Sequence, residues 1–137
     1  TINQSTTNLT IAETYYNQML KKNFDAMEQC LHSDVHFISP LAEMHGKDNV
    51  VTAAKNLSAI LVDIKIRSKF STDNQIMFAY DFIFPEPICK LRAAVLMEFQ
   101  NHLISKIELF FFFFFFEAKK KGFFHQNNTL STALSFN

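Results

Sequence analysis

Apolar side chains recur at helical spacing in the first part of the chain, and polar residues separate the helical stretches. Tyr15 and Met19 fall on one face of a first predicted helix. The preceding residues 1–9 are rich in Ser, Thr and Asn, and we expect them to form a flexible arm. A D-x-x-E capping pattern that begins at Asp25 predicts a second, short helix, and Asp48 is positioned to cap a third.

The rest of the chain alternates with a period of two, which is typical of strands. Residues 32–39 alternate and end at Pro40, and residues 41–46 are expected to form a loop. Four further strands are predicted, separated by short turns, at residues 64–70, 75–84, 88–99 and 103–116. Strands that follow one another through short turns indicate an antiparallel meander. Helices followed by a sheet predict an α+β fold, which we expect to occupy residues 10–116 as a single domain.

Composition excludes several classes of function. With 13 basic and 13 acidic residues, the chain lacks the basic surface of a typical nucleic-acid-binding protein, so we expect no nucleic acid partner. Two glycines in 137 residues exclude a Gly-rich phosphate-binding loop. Cys30 and Cys89 form neither a disulfide framework nor a CxxC metal motif, and they predict buried thiols in a reducing, cytoplasmic setting.

No stretch of the sequence predicts membrane insertion. The longest apolar run, residues 109–116, has eight residues, whereas a spanning helix needs about 20. The first ten residues are polar, and no secretory signal is visible. We therefore expect no membrane partner.

Five short segments, spread over residues 10–111, carry a resemblance to a known family. They are Tyr15-Tyr16, the N-F-D corner at 23–25, the D-V-H-F stretch at 34–37, His45-Gly46-Lys47, and the last strand at 104–110. Together they resemble the SnoaL-like and ketosteroid-isomerase-like branch of the nuclear transport factor 2-like superfamily. The resemblance implies a curved antiparallel sheet, wrapped by about three helices into a cone around an apolar pocket. It also implies a homodimer that forms through the outer face of the sheet.

The isomerase subgroup can be compared position by position. Its helix-one oxyanion donor corresponds to Tyr15, which is present. Its general base corresponds to Ser39, which cannot abstract a proton from a carbon acid at neutral pH. Its second donor, a protonated Asp, falls near Val95. The resemblance therefore does not extend to classical steroid isomerisation.

Candidate site residues follow from the resemblance and from the residue chemistry. His45, in the loop before the third helix, is expected at the pocket rim as an acid or base, so Tyr15 and His45 are the catalytic candidates. Of Tyr15 and Tyr16, one is expected to face the cavity and the other solvent or the sheet. The expected pocket residues are Tyr15, Met19, Phe37, Ser39, Val95, Met97 and Ile107.

Metal and cofactor binding are not predicted. His32, Asp34 and His36 would share one face of a strand, and Zn²⁺ accepts such ligands. That face is opposite Phe37, however, so it is expected to be solvated and outside the cone. We expect neither a metal ion nor a cofactor.

Three functions remain open. The first is a domain that binds a small apolar molecule. The second is an isomerase- or cyclase-like enzyme that uses Tyr15 and His45. The third is a non-catalytic dimeric interaction module, in which isolated outward charges such as Asp81, Arg92 and Glu98 set the register of the dimer. A deep pocket lined by polar groups would favour the enzyme, and a collapsed pocket would favour the module.

Seven consecutive phenylalanines at 110–116, followed by Lys119–Lys121, have two interpretations. Phe and Lys both have homopolymer codons, so nucleotide slippage or a frameshift could have replaced the native terminus. In that case residues 117–137 would be a polar tail with no counterpart in the family. Alternatively, the run is a genuine apolar strand at a dimer surface or cavity wall.

Overall fold

The computed structural model describes residues 4–111. This range has three helices, which are α1 (Gln4–Leu20), α2 (Phe24–Glu28) and α3 (Lys47–Ser58). It has six strands, which are β1 (Leu31–Ile38), β2 (Glu43–His45), β3 (Asp63–Ser71), β4 (Gln75–Ile83), β5 (Lys90–Gln100) and β6 (Leu103–Phe110). Phe111 is also described, whereas most of the phenylalanine run and the segment 117–137 lie outside the described residues.

The strands form one curved, unclosed sheet in the order β2-β1-β6-β5-β4-β3. Antiparallel pairing of β3, β4, β5 and β6 confirms the predicted meander. In contrast, β1 lies parallel to β6, which short-range turn signals could not indicate because the pairing joins distant parts of the chain. The α+β class predicted from the order of the elements is confirmed.

The hydrophobic core lies between the inner face of the sheet and the helices. Alternation along β4 and β5 directs every second side chain inward, as a period of two requires. Phe78, Tyr80 and Phe82 on β4 are all nearly or fully buried, as are Val95 and Met97 on β5. Helices α1 and α3 contact this core through the buried side chains of Ala12, Tyr15, Tyr16, Met19, Val50, Val51, Ala53, Ala54 and Leu57.

Helix α1 starts earlier than predicted. It begins at Gln4, so residues 4–9 are helical and not part of a flexible arm. The reason is a tertiary contact, because Asn8 is buried and its side-chain amide donates a 3.1 Å hydrogen bond to the carbonyl of Asp73. A polar composition suggested an arm, but the helix is fixed by this contact with the β3–β4 turn.

The ends of the shorter helices also differ from prediction. Asn23, not Asp25, caps α2, and its side chain accepts a 3.3 Å hydrogen bond from the Ala26 N–H. Gly46 occupies the N-cap of α3 with φ +90°, and Asp48 lies in the first turn of that helix. The residues just before Gly46, expected to be loop, form the edge strand β2.

The outer face of the sheet carries charges, as expected for Arg92 and Glu98 from the family resemblance. Asp81 lies opposite Arg92 on β5, and its carboxylate accepts a 3.0 Å hydrogen bond from Arg67 Nε on β3. Both cysteines are free, but only Cys30 is buried; Cys89 is exposed, contrary to expectation, because it follows the P-E-P turn after β4. Among the described residues, no helix combines the length and apolar character required to cross a bilayer.

Candidate functional site

A small cavity lies inside the cone, between helices α1 and α3 and the inner face of the sheet. Its volume is about 20 Å³, which is room for about one water molecule. Its walls are almost entirely apolar apart from three phenol groups. The lining residues are Tyr15, Tyr16, Met19, Phe37, Val50, Ala53, Ala54, Leu57, Tyr80, Phe82, Ile107 and Leu109.

Two of the three cavity tyrosines form a hydrogen bond with each other. The hydroxyls of Tyr16 and Tyr80 are 2.8 Å apart and share a hydrogen bond between α1 and β4. Their rings meet edge to face with centroids 5.2 Å apart, which is a favourable arrangement of two aromatic quadrupoles. This pair therefore fixes the position of α1 on the sheet. It also forms one wall of the cavity, in which both hydroxyls already have a hydrogen-bond partner.

Tyr15 differs from the other two tyrosines. Its ring packs edge to face on Tyr16 with centroids 5.0 Å apart. Its hydroxyl makes no side-chain hydrogen bond among the described residues and, unlike Asn8 Oδ1, keeps some accessible surface. Burial raises the pKa of Tyr15 well above its usual value, with smaller contributions from Tyr16 and Cys30. The phenol therefore remains protonated at any physiological pH, and it presents an available O–H donor beside an apolar cavity.

Among the residues that the structure describes, the cavity lining has no group suited to abstract a proton. Its described lining includes no Asp, Glu, His, Lys, Arg or Cys. Burial also raises the pKa values of Tyr16 and Tyr80, so none of the three phenols is available as a base near neutral pH. The arrangement can exclude water, fill space and donate a hydrogen bond, but the described lining does not supply the base that general base catalysis requires.

The predicted pocket residues are distributed over three environments. Tyr15, Met19, Phe37 and Ile107 line the cavity. Val95 and Met97 are fully buried on the same inner face but do not line it. Ser39 lies in the turn after β1, where its oxygen accepts hydrogen bonds from the N–H groups of residues 41 and 42. The position of the missing base is therefore occupied by a residue that stabilises a turn.

His45 does not lie at the pocket rim, where the sequence led us to expect it. It is opposite His36 in the antiparallel pairing of β1 and β2, whereas the neighbouring pair Phe37 and Met44 points into the cone. Alternation along a strand therefore places His45 on the outer face, away from the cavity. This placement removes the reason for which His45 was a candidate acid or base at the pocket.

On the outer face, His45 belongs to a different cluster. Its ring stacks on that of His36, with centroids 4.2 Å apart and planes inclined by 8°. His36 Nε2 also hydrogen-bonds to a carboxylate oxygen of Glu43. His32 and Asp34 do not join His36 in a cluster of possible metal ligands among the described residues, and the His32 ring accepts a local hydrogen bond from the Asp34 N–H.

Sequence reasoning missed part of the cavity wall. Both Tyr15 and Tyr16 are buried and line the cavity, although only one of them was expected to face it. Tyr16 turns inward because it packs on Tyr80, which the alternation of β4 already placed on the inner face. Helical periodicity indicates an apolar face on α3, but it cannot show that the helix packs over the cavity.

A second, more polar cavity of about 220 Å³ lies at the other end of α1, against the β3–β4 and β5–β6 turns. The Asn8 side-chain oxygen is buried and has no hydrogen-bond partner among the described residues. The residues that line this cavity are Asn8, Asp73, Asn74, Phe99, Asn101 and His102. It is separate from the three-tyrosine cavity and shares no lining residue with it.

Solved structures with the same arrangement of helices and sheet identify the fold. An NTF2-like protein of unknown function from Cytophaga hutchinsonii is 15% identical and aligns over 77% of this chain and 89% of its own, with a TM-score of 0.66. The chain has the NTF2-like fold. The family resemblance drawn from the sequence is thereby confirmed for the architecture.

Other structures with the NTF2-like fold carry different descriptions. A provisionally assigned ketosteroid isomerase from Kribbella flavida is 11% identical, covers 81% of this chain and 82% of its own, and has a TM-score of 0.70. An LEH-like epoxide hydrolase from M. tuberculosis is 13% identical, covers 87% and 93%, and has a TM-score of 0.72. No protein-family model and no curated protein matches the chain. At such identities the similarity establishes the fold and not the reaction.

Proposed function

We propose that this NTF2-like domain binds a small, mainly apolar molecule with one hydrogen-bond acceptor, and that it catalyses no reaction on it. The observation that carries the proposal is the Tyr15 hydroxyl, which makes no hydrogen bond among the described residues and keeps accessible surface beside an apolar cavity. Buried phenols usually have a partner. A ligand carbonyl or ether oxygen would supply that partner, and the apolar walls would surround the rest of the molecule.

The size and the walls of the cavity limit the ligand. A volume of about 20 Å³ accommodates few heavy atoms, so a larger ligand must displace a side chain. Met19 is the most adaptable residue of the wall, because its unbranched side chain has several rotatable bonds. Phe37 and Leu109 are held in the sheet and offer less freedom. We therefore expect ligands of one ring or less, not steroids.

An enzyme of the isomerase or cyclase type is less well supported. Tyr15 would provide an oxyanion donor, but the described lining contains no base, and His45 lies on the other face of the sheet. Without a base nearby, the Tyr15 hydroxyl can donate a hydrogen bond to a bound carbonyl in a binding protein as well as in an enzyme. The same contact thus supports recognition of a ligand without turnover.

Methyl-resolved NMR titration with cyclohexanone tests the proposal. The ring provides apolar surface and the ketone provides the acceptor for Tyr15. We expect saturable shifts of the Met19, Leu57 and Ile107 methyl signals. Tyr15→Phe should weaken binding by about 2- to 10-fold, which corresponds to the net 0.5–1.5 kcal/mol of one hydrogen bond.

Methylcyclohexane is the matched probe, because it has a similar shape but no acceptor. Its affinity should be unchanged or slightly improved by Tyr15→Phe. If cyclohexanone produces no saturable shift in the cone of the wild-type protein, the proposal is wrong. It is also wrong if Tyr15→Phe affects both probes equally.

The second candidate function is a non-catalytic interaction module in which the cavity is only a packing defect of the core. The water-sized volume favours this alternative, since a pre-formed ligand site is usually several hundred Å³. The two candidates differ in the same titration, because the module predicts no binding of either probe at the cavity.

A further inference from the structure

We propose that the outer edge of the sheet holds a divalent cation of the zinc class, bound by His36, Glu43 and His45. This site is independent of the cavity, because these side chains lie on the opposite face of the sheet from Phe37. The imidazole nitrogens and the carboxylate oxygen of the three residues lie within 4.8 Å of one another. Two His and one carboxylate are a ligand set that Zn²⁺ accepts, with a fourth position left for solvent.

The backbone of the β1–β2 hairpin creates this convergence. Hydrogen bonds from Ser39 N to Ala42 O and from Gly46 N to Val35 O mark the hydrogen-bonded pairs of the ladder. His36 and His45 therefore form a non-hydrogen-bonded pair, the type in which opposite side chains stand closest. The ladder itself thus brings the two imidazoles face to face.

Glu43 completes the set from a diagonal position. It lies two residues before His45 on β2, so its side chain leaves the same face of the sheet. Diagonal neighbours across a ladder are within reach of long side chains, and Glu43 already hydrogen-bonds to His36 Nε2. A cation would take the place of the hydrogen shared by these two atoms, while His36 carries its proton on Nδ1.

Coordination requires the two imidazoles to leave their parallel stack, because each ring binds a metal in its own plane and the two planes are inclined by only 8°. Ligand atoms around a tetrahedral zinc ion lie about 3.4 Å apart, given metal–ligand distances of about 2.1 Å. The three groups are partly or largely exposed, so side-chain rotation can close the difference without moving the backbone. The nearest cation on the adjacent strand, Lys106, lies 4.0 Å from Glu108, which offsets its charge.

The same cluster has no evident role in holding the fold together. His45 and Glu43 are exposed on a three-residue edge strand, and an exposed ion pair contributes little to stability.

Isothermal titration calorimetry of the metal-free, untagged protein with ZnCl₂ tests the site. We expect about one ion per chain at this site, and we expect His45→Gln or His36→Gln to weaken the affinity at least tenfold, since even outer-shell partners of metal ligands are worth roughly 10- to 100-fold. His102→Asn is the matched control, because it removes an exposed histidine from the β5–β6 turn, where Asn tolerates the positive φ. MgCl₂ should bind far more weakly, because Mg²⁺ prefers oxygen ligands.

Substitution of Co²⁺ provides a second readout that does not depend on affinity. Tetrahedral Co²⁺ bound to imidazole and carboxylate absorbs in the visible range, and this band should be lost in His36→Gln. Circular dichroism confirms that each variant is folded. The proposal is overturned if Zn²⁺ does not bind, or if the two cluster variants bind it as tightly as the His102→Asn control.

Discussion

At the scale of single residues, the buried hydrogen bond between the Tyr16 and Tyr80 hydroxyls is a contact that one substitution would break. Tyr16→Phe or Tyr80→Phe leaves the remaining hydroxyl buried and unpaired, which should lower the free energy of unfolding by about 1–3 kcal/mol. The double variant should lose less than the sum of the two, because it leaves no orphaned hydroxyl. Urea denaturation at neutral pH measures all three, and strictly additive losses would contradict the pairing.

The tyrosines also predict how stability depends on alkaline pH. The chain contains three tyrosines, all buried, and burial raises the pKa of each above the usual value of about 10. Between pH 10 and the raised pKa values of the folded protein, the unfolded chain loses phenolic protons that the folded protein keeps. The stability that depends on these groups is therefore fully present below about pH 10 and is lost as the pH rises beyond it.

Above pH 10, each tyrosine that stays neutral only in the folded state should lower the free energy of unfolding by about 1.4 kcal/mol per pH unit. The measurement is the free energy of unfolding between pH 8 and about pH 11.5, together with tyrosinate absorbance of the native protein. Tyrosinate should appear only as the protein unfolds. A native protein that titrates its phenols near pH 10 would show that they are accessible.

Ser39 leads to a prediction about activity. Its oxygen accepts two backbone hydrogen bonds in a turn, and the described lining of the cavity supplies no carboxylate in its place. We expect no isomerisation of a 3-oxo-Δ5-steroid above the rate without protein. The assay follows the absorbance of the conjugated enone, and turnover that disappears in Tyr15→Phe would refute this prediction.

At the scale of elements, Gly46 links β2 to α3 and has a backbone conformation that other residues rarely adopt. Its φ of +90° is strained for an L-residue, although a Cβ atom there would meet no neighbour within 4 Å. Gly46→Ala should therefore destabilise the protein by about 1–3 kcal/mol through the backbone alone. Thermal and urea unfolding measure this loss. Thr52→Ala on the exposed side of α3 is the control and should change stability by less than about 0.5 kcal/mol.

The sequence predicts those features of helices and strands that depend on local periodicity. The helical spacing of Tyr15 and Met19 correctly indicated the inner face of α1. The family resemblance correctly implied that Val95 and Met97 on β5 face inward. The parallel pairing of β1 with β6 joins segments about 70 residues apart, and no local pattern encodes it. The three-residue strand β2 is too short to show a period, so the direction of His45 could not be read.

The candidate site was predictable only in part for the same reason. Four of the proposed pocket residues line the cavity: helical spacing indicated Tyr15 and Met19, strand alternation indicated Phe37, and the family resemblance implied Ile107. The contribution of α3 depends on where the helix crosses the sheet, which is a tertiary property. Metal ligands from two strands, His36 and Glu43, converge only through the register of the hairpin.

At the scale of the whole molecule, the outer face of the sheet carries both apolar side chains and charges. Three apolar or small side chains, Met77, Leu96 and Ala94, form a strip across the adjacent strands β4 and β5. Charges flank the strip on β5, with Arg92 and Glu98 equally spaced on either side of Val95. A two-fold axis that crosses β5 at this point would place each Arg92 beside the partner subunit's Glu98.

We therefore expect a homodimer through this face, with an apolar centre and a charged rim. Ala94→Arg would place a charge in the centre of the strip and should convert the protein to a monomer without unfolding it. Gln100→Arg, at the exposed end of β5, adds the same side chain outside the strip and should leave the dimer intact. Sedimentation equilibrium measures the mass, and a wild-type monomer at micromolar concentration would contradict the expectation.

A crystal structure grown with cyclohexanone would show directly whether the cavity inside the cone binds a ligand through Tyr15. We expect the ring between α3 and the sheet, against Leu57 and Ile107. We also expect the ketone oxygen at about 2.7 Å from the Tyr15 hydroxyl, the usual distance of an O–H···O hydrogen bond. A cone without ligand at saturating concentration, or a bound ring with its ketone directed away from Tyr15, would contradict the proposed function.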